Sequence, residues 1–254
     1  MKRLLSYRLD NIQGQGKRDY QEDSFAFVNA LDVTLIKEEG LLAVVADGMG
    51  GMEGGELASR TVIKTMVETF KNMDRSEKIS AQLRTGVLQA NDEVNGLLNG
   101  AGGSTVIAGI FFQEKFYYIS VGDSYIFLMR NRELIRMNRS DNVKTDIFIK
   151  TIQLGEIDPA PGRGNEEAEA LMQFIGKGGD IEPDVLISPY SLKDGDMVVF
   201  CTDGIGDILS EEEMLYCLIN NTPEQACRNM GRMIQERNVP NQDNYTALVV
   251  QCGY

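Results

Sequence analysis

The apolar run Leu41–Ala46 constrains the fold more than any other segment of this chain. Its six residues, LLAVVA, show no alternation of apolar and polar side chains, so neither face of the segment suits water. The run is shorter than an ordinary helix and stops at Asp47-Gly48, a common turn dipeptide. These properties are typical of a strand that is buried on both faces.

The other predicted elements come in blocks of strands and blocks of helices, which indicates an α+β layered domain. The predicted strands cover 4–9, Ser24–Val28, 32–36, 104–112, 116–121, Tyr125–Arg130, 133–137, 184–187, Met197–Cys201 and 245–251. The predicted helices begin near Glu56, cover Ile79–Leu98 and 166–174, and start again at Ser210 and Thr222. The strands between 104 and 137 are separated by short polar stretches and predict an antiparallel meander.

Composition excludes several classes of function. The 254 residues include 25 Lys and Arg against 38 Asp and Glu, a formal net charge of −13, so we expect no nucleic-acid partner. The chain contains no histidine, which excludes Ser-His-Asp and Cys-His catalysis and zinc sites of the HExxH type. No linker or repeat interrupts the chain, so we expect a single domain over residues 1–254.

The cysteines and the hydropathy pattern bear on location. The four cysteines form no C-x-x-C pair, so we expect free buried thiols in a reducing cytosol. The N-terminal residues lack the apolar core of a signal peptide, and no run approaches the roughly 18 apolar residues that span a bilayer. We therefore expect a cytoplasmic protein with no membrane association.

Acidic residues recur at strand ends or in tight polar turns. These positions are Glu22-Asp23, Asp47, Asp123, Asp203 and Asp243. Carboxylates brought together at strand ends repel one another unless a cation lies between them, and oxygen ligands suit Mg²⁺ or Mn²⁺ rather than Zn²⁺. Each aspartate taken alone is better explained as a turn residue. The shared setting of all of them favours one metal site.

Several other phosphate chemistries do not match the sequence. The glycine cluster at residues 48–55 fits neither G-x-G-x-x-G nor G-x-x-x-x-G-K, and Asp47 would place negative charge beside a phosphate. The C-x5-R signature of cysteine-dependent phosphatases and the D-x-D-x-T signature of aspartyl-phosphate enzymes are both absent from the sequence.

Six short motifs, taken in order, resemble the metal-dependent protein phosphatase family (type 2C, or PPM) in its bacterial branch. They are Arg18-Asp-Tyr-Gln-Glu22-Asp23, Val45-Ala-Asp47-Gly-Met-Gly-Gly51, Gly103-Ser-Thr105, Val121-Gly-Asp123-Ser, Cys201-Thr-Asp203-Gly204 and Asp243-Asn244-Tyr-Thr246. The resemblance spans nearly the whole chain. It implies a four-layer αββα sandwich, with two antiparallel sheets packed face to face and helices outside. It also implies a variable flap at about 138–179.

The resemblance implies how cations would be held. Asp47 would bridge two Mn²⁺ or Mg²⁺ ions, with the Gly48 carbonyl on one of them, and Asp203 and Asp243 would complete the other. The remaining implied ligands are Glu22 and Asp23, through water, and Asp123, which would hold a third, weaker ion together with Asp203.

The resemblance also implies the reaction. Arg18 would hold the substrate phosphate with its bidentate guanidinium. Without the resemblance, a surface pair with Asp19 or Glu22 is the better explanation of that arginine. A hydroxide bridging the two cations would attack phosphoserine or phosphothreonine esters directly. The substrates would be phosphoproteins made by a serine/threonine kinase, and we expect a monomer.

Two departures from the family pattern keep alternatives open. Met49 stands where some members carry histidine, and Tyr125 follows Gly-Asp-Ser where the family has arginine. One alternative is a non-catalytic metal- or phosphoprotein-binding module of the same fold. Another keeps the enzyme but changes its substrate to a small phosphate ester or a regulator phosphoserine of the anti-anti-sigma type.

Overall fold

Two antiparallel sheets pack face to face, and helices cover the outer face of each sheet. The structure is a computed structural model that describes residues 5–50, 53–156, 165, 167–168 and 170–254. The predicted α+β four-layer sandwich is confirmed. None of the helices in these residues is both long enough and apolar enough to cross a membrane.

The strands are, in chain order, β1 (Ser6–Gly14), β2 (Ser24–Val28), β3 (Leu41–Ala46), β4 (Gly48–Met49), β5 (Gly103–Ser104), β6 (Val106–Phe112), β7 (Lys115–Val121), β8 (Tyr125–Arg130), β9 (Glu133–Arg136), β10 (Asp184–Val185), β11 (Tyr190–Ser191), β12 (Met197–Cys201) and β13 (Tyr245–Gly253). The helices are α1 (Val33–Glu39), α2 (Glu53–Lys71), α3 (Ile79–Leu98), α4 (Val143–Gln153), α5 (Asp203–Gly206), α6 (Glu211–Leu218) and α7 (Pro223–Arg237).

The first sheet has the strand order β1-β13-β12-β8-β9, and the second has β10-β7-β6-β3-β2 with β11 also paired to β7. Strands β4 and β5 form a separate two-stranded ribbon. The predicted meander over 104–137 is therefore divided, because β6 pairs with β7 in one sheet and β8 pairs with β9 in the other. The chain crosses between the sheets at residues 122–124.

Strand β3 is buried on both faces, as its sequence predicts. Leu42 and Val44 pack in the cluster that joins the second sheet to α2 and α3. Ala43 and Val45 face the first sheet in the cluster between the two sheets. Packing on each face therefore removes apolar surface from water, which stabilises the fold by roughly 25 cal/mol per Å² of surface buried.

The centre of the sandwich is aromatic. The ring centroids of Phe111 and Phe116 are 5.0 Å apart, and Phe200 from the other sheet lies 6.1 Å from Phe116 at an interplanar angle of 69°. Gly109 on β6 leaves room for these rings, since a Cβ there would lie 2.4 Å from Phe200 Cζ.

The predicted strand at 32–36 is wrong. Residues Val33–Glu39 form helix α1, and the Asp32 carboxylate caps it by accepting hydrogen bonds from the amides of Thr34 and Leu35. The apolar pattern of this short segment fits a strand as well as a short exposed helix. The N-cap at Asp32 stabilises the helix.

The predicted helix at 166–174 is also wrong where the structure describes it. Residues 170–174 contain an isolated bridge between Leu171 and Asn142 rather than a helix, and residues 166 and 169 lie outside the described part. The helix of this region is α4, which Asn142 caps through Thr145 N. The helices that start after Ser210 and Thr222 are confirmed, each with a capping box.

Strand register brings the acidic turns to one end of the sandwich. Ser24 at the start of β2 pairs with Ala46 at the end of β3, and Tyr125 at the start of β8 pairs with Cys201 at the end of β12. Loops that leave the sheets at this end carry the predicted site residues, namely Glu22, Asp23, Asp47, Asp123, Asp203 and Asp243.

Two glycine-to-alanine substitutions should have opposite effects on stability. Gly109→Ala should lower the free energy of unfolding by about 1–3 kcal/mol, because the added methyl group collides with Phe200 and Phe116. Gly96→Ala, on the exposed side of α3 with no neighbouring atom within 4 Å, should raise it by about 0.5–1 kcal/mol. Urea denaturation of both variants measures the difference, and equal effects would contradict the packing described for Gly109.

Candidate metal centre

The loops at the acidic end of the sandwich surround a cavity of about 350 Å³. Its lining includes seven of the eight predicted site residues: Arg18, Glu22, Asp47, Gly48, Asp123, Asp203 and Asp243. The other lining residues are Met49, Gly50, Thr105 and Leu171. Residues far apart in the sequence therefore meet at one place. Five of them bring carboxylates to it, namely Glu22, Asp47, Asp123, Asp203 and Asp243.

The main chain of Asp47 is held on both sides by the Ser104-Thr105 pair. The Asp47 amide donates to Thr105 Oγ1 at 3.0 Å, and its carbonyl accepts from Thr105 N at 2.8 Å and from Ser104 Oγ at 2.9 Å. Ser124 bonds in turn to Thr105 Oγ1 at 2.9 Å. Asp47 is thus fixed by neutral groups while its carboxylate remains available to the cavity.

Glycine is required by close backbone approach on both sides of the cavity. A Cβ on Gly48 would lie 2.2 Å from the Gly55 carbonyl oxygen and 2.7 Å from the Glu22 carbonyl oxygen. A Cβ on Gly204 would lie 1.9 Å from the Asn244 carbonyl oxygen. Any side chain at these two positions would push the neighbouring acidic loops apart.

Asp203 is the first residue of the one-turn helix α5, directly after strand β12. The Gln242 side chain donates to the carbonyl of Gly204 at 3.0 Å, which ties α5 to the loop that carries Asp243. The carboxylate of Asp203 has a buried Oδ1 atom without a hydrogen-bond partner. The fold therefore holds this carboxylate in place without satisfying it.

Asn244 ties the loop of residues 15–22 to the cavity. Its side-chain amide donates to the carbonyls of Gln15 and Tyr20, both at 2.9 Å, and its Oδ1 accepts from Glu22 N at 2.8 Å. This loop carries Arg18, whose guanidinium pairs with Asp243 Oδ2 at 2.6 Å. The Asn244 side chain thus positions both the Arg18 guanidinium and the acidic residue Glu22.

Asp23 is the predicted site residue that does not line the cavity. It is 4% exposed, and its Oδ2 accepts hydrogen bonds from the hydroxyls of Thr246 at 2.7 Å and Thr202 at 3.0 Å. Because Thr202 directly follows β12, Thr246 lies on β13 of the first sheet and Asp23 precedes β2 of the second, this carboxylate links the two sheets. Its Oδ1 is buried without a hydrogen-bond partner.

Burial and mutual repulsion raise the pKa values of three aspartates, Asp47, Asp203 and Asp23. The pKa of Asp47 is raised well above its ordinary range, first by burial and then by the charges of Asp23 and Asp203. Burial, with Asp123 and Asp243, raises the pKa of Asp203 to about 7. Burial also raises the pKa of Asp23 to about 6, against the effect of its two threonine donors.

The donor set fits hard divalent cations. Glu22 Oε1 and Asp203 Oδ1, from two residues that line the cavity, are buried oxygens without a hydrogen-bond partner, and oxygen donors of this kind suit Mg²⁺ or Mn²⁺. Within the described ranges, no three acidic or thiol side chains are already grouped closely enough to enclose an ion. Arg18 currently neutralises Asp243, so full coordination would require that pair to open.

Cys201 does not take part in this site. Its side chain is fully buried on the outer face of β12, and burial raises the pKa of its thiol. All four cysteines are free and buried, as the sequence predicts. A thiol that stays protonated is neither a nucleophile nor a metal ligand.

The sequence motifs contain Thr105 and Asn244, but sequence reasoning gave neither residue a role, and it missed Gln242. Their functions come from hydrogen bonds to main-chain groups far away in the chain, such as Asn244 to Tyr20. The adjacency of Asn244 to a predicted ligand was the available signal. Leu171, from the segment 138–179, reaches the cavity through its bridge to Asn142, which no motif indicates.

Comparison with known proteins agrees with this geometry. A family model described as "Protein phosphatase 2C" matches residues 21–237. The serine/threonine phosphatase stp of Listeria monocytogenes is 26% identical over 187 residues, which cover 70% of this chain and 71% of that protein. The serine/threonine protein phosphatase PstP of Mycobacterium tuberculosis is 30% identical over 191 residues, 73% of this chain and 35% of that protein.

A solved structure shares the fold. The crystal structure of the catalytic domain of PstP, described as a complex with two manganese ions, superposes with a TM-score of 0.78 at 23% identity. The match covers 98% of this chain and 100% of that one. At this level of identity the likeness establishes the αββα fold.

Asp203→Asn should stabilise the metal-free protein at alkaline pH. The ordinary pKa near 3.8 is raised to about 7 in the fold, so wild-type stability is full below pH 4 and is lost as pH rises towards 7. Asparagine does not ionise, so Asp203→Asn does not lose stability as the pH rises. Its free energy of unfolding should exceed that of the wild type by roughly 1–3 kcal/mol at pH 8 and differ little at pH 4.

Thermal unfolding in EDTA at the two pH values measures this difference. The same experiment with Mn²⁺ should raise the Tm of the wild type far more than that of Asp203→Asn. Asp92→Asn, an exposed substitution on α3, serves as the matched control. A destabilised Asp203→Asn at pH 8, or an equal Mn²⁺ response, would refute the description of this carboxyl.

Proposed function

Because this chain belongs to the protein phosphatase 2C family, we propose that it is a metal-dependent serine/threonine protein phosphatase that hydrolyses phosphoserine and phosphothreonine esters. The observation that carries the proposal is the single cavity lined by Arg18, Asp47, Asp203 and Asp243. It combines carboxylates able to hold cations with a guanidinium able to hold a phosphate. Folding brings both functions within one small volume.

Two divalent cations, Mn²⁺ or Mg²⁺, would be held by Asp47, the Gly48 carbonyl, Asp203 and Asp243, with Glu22 beside them. When bound, such cations lower the pKa of water and offset negative charge on phosphoryl oxygens. We assign Asp123, together with Asp203, to a third and weaker cation. Asp23 would support Asp47 from within the core rather than bind an ion directly, since it does not line the cavity.

Arg18 would bind the phosphoryl group of the substrate. Its side chain is 56% exposed at the cavity, so an incoming phosphate can reach it. The planar guanidinium donates two parallel hydrogen bonds to a phosphate, which a lysine ammonium cannot reproduce. The pair that Arg18 makes with Asp243 in this structure is the contact that a phosphate would replace.

Hydrolysis would proceed without a covalent phosphoenzyme. Among the described residues that line the cavity, Thr105 is the one with a side-chain hydroxyl. Its Oγ1 already bonds to Asp47 N and to Ser124. Its role is to hold the Asp47 main chain rather than to attack the phosphate. With no histidine in the chain, the leaving alkoxide would take its proton from solvent.

The partners that we propose are phosphorylated proteins made by a serine/threonine kinase. The net charge of −13 favours substrates with basic residues near the phosphorylated position and disfavours nucleic acid. We also propose that the whole of residues 1–254 acts as one catalytic domain and a monomer, located in the cytoplasm.

Phosphate release from a phosphothreonine peptide tests the function. Wild type should release phosphate with Mn²⁺ or Mg²⁺ and stop after EDTA, because the carboxylates cannot act without cations. Asp47→Asn should lower kcat/KM by at least about 100-fold, since it removes a carboxylate that would hold the cations. Asp92→Asn, an exposed substitution on α3 that does not line the cavity, should leave kcat/KM unchanged.

Release that continues in EDTA, or an Asp47→Asn variant with near-full metal-dependent turnover, would contradict the mechanism. A folded wild type that binds the phosphopeptide without releasing phosphate would make the non-catalytic binding module the better account. Parallel assays with whole phosphoproteins and with sugar phosphates separate protein substrates from small phosphate esters.

Arg18→Lys should raise KM for the same peptide by roughly tenfold while changing kcat less, because the ammonium retains charge but loses the bidentate geometry. Steady-state kinetics at saturating Mn²⁺ measure the two parameters. Arg228→Lys on the exposed side of α7 is the matched control. An unchanged KM in Arg18→Lys would remove Arg18 from phosphate binding.

A further inference from the structure

Tyr125 stands close, along the chain and across the sheet, to two acidic residues of the candidate metal centre. It is the first residue of β8, two positions after Asp123, and it pairs in the sheet with Cys201, two positions before Asp203. Asp123 and Asp203 both line the cavity, and carboxylates gathered at one site repel one another. A residue linked to both segments can influence the distance at which these two carboxylates stand.

The Tyr125 hydroxyl reaches the end of the helical turn that carries Asp203. It donates a hydrogen bond to Asp207 Oδ1. Asp207 closes helix α5, because its amide donates to the Asp203 carbonyl at 2.8 Å. A chain of contacts therefore runs from the Asp123 loop through the Tyr125 ring to Asp207 and back to Asp203.

The ring of Tyr125 is held firmly enough to act as a spacer. It stacks on Phe127 with centroids 5.6 Å apart and planes 12° apart, and the Arg136 guanidinium lies 4.1 Å from its centroid on the ring face. Gly206 leaves α5 in contact with it, since a Cβ at that position would lie 2.3 Å from Tyr125 Cδ2. The tyrosine thus has little freedom to move.

The hydroxyl also controls where the charge of Asp207 points. Engaged by the hydroxyl, the Asp207 carboxylate stays on the Tyr125 side of α5. Without that hydrogen bond, the carboxylate could turn, and the packing of Gly206 on the Tyr125 ring would be left to hold α5 against β8.

We propose that Tyr125 is a positioning residue that, through its hydrogen bond to Asp207, fixes the separation of Asp123 and Asp203 and so sets the affinity of the cation that these two carboxylates share. The inference rests on the proposed function, because it concerns the cations of that same centre. It gives a role to the residue at which this chain departs from the family motif.

Calorimetric titration of metal-free protein with Mn²⁺ tests the proposal directly. Tyr125→Phe keeps the ring, its stacking and its contact with Arg136, and removes the hydroxyl alone. It should raise the dissociation constant of the weakest Mn²⁺ by about three- to tenfold, the size expected for one charge-assisted hydrogen bond near the surface. Tyr216→Phe, which removes an exposed hydroxyl on α6, should bind Mn²⁺ like wild type.

A double-mutant cycle distinguishes positioning from general destabilisation. Asp207→Ala should weaken the same Mn²⁺ site, and Tyr125→Phe/Asp207→Ala should be no weaker than the worse single variant, because both remove one interaction. Asp207→Asn, which still accepts the hydroxyl, should restore affinity to within about twofold of wild type. The Tm of Tyr125→Phe in EDTA should stay close to wild type.

Three results would overturn the proposal: unchanged Mn²⁺ affinity in Tyr125→Phe, additive losses in the double variant, or no recovery in Asp207→Asn. Phosphate release measured alongside keeps the two questions apart. A wild type that binds Mn²⁺ but releases no phosphate would refute the proposed function. The Tyr125–Asp207 coupling would still be decided by the titrations.

Discussion

The structure depends on the repulsion among carboxylates that two sheets bring to the same end of a sandwich. Asp47 follows a buried strand of one sheet and Asp203 follows a buried strand of the other. Each is made harder to ionise by burial and by its acidic neighbours. The fold tolerates this unfavourable free energy because the two strands are stabilised by packing on both faces. One face of each strand packs on helices and the other packs in the core between the sheets. Cations at the same place would convert the cost into binding free energy.

Neutral groups hold the charged ones in place. Thr105 fixes the main chain of Asp47, Asn244 fixes the loop of Arg18, and Gln242 joins α5 to the loop of Asp243. Because these contacts use amides, hydroxyls and main-chain atoms, they leave the carboxylate oxygens free for another partner. Buried carboxylate oxygens without a hydrogen-bond partner occur on Glu22, Asp23 and Asp203 of this scaffold. Such an arrangement sacrifices stability at a site in favour of ligand binding.

The sequence predicts an element correctly where residues within that element stabilise it. Strand β3, helix α3 and the capped starts of α6 and α7 follow from an apolar run, a helical period and capping boxes. Prediction from the sequence failed at α1, where seven residues fit either period, and at α4, which buries none of its residues and lies in a segment that is otherwise polar and rich in glycine. Tertiary contacts also decide the surroundings of Asp23. The hydroxyls of Thr202, directly after β12, and of Thr246 on β13 bind its Oδ2 in the core.

The sequence by itself determined the class of chemistry: oxygen ligands without histidine, a guanidinium upstream of them, and strands that end in Asp-Gly. These are properties of residue type and of neighbours along the chain. Only the tertiary structure decided which of these groups share a cavity, that Arg18 pairs with Asp243, and that Tyr125 reaches Asp207. The reason is physical. Distances between residues far apart in the sequence are set by strand register and by packing across the sheets, and no local pattern encodes either one.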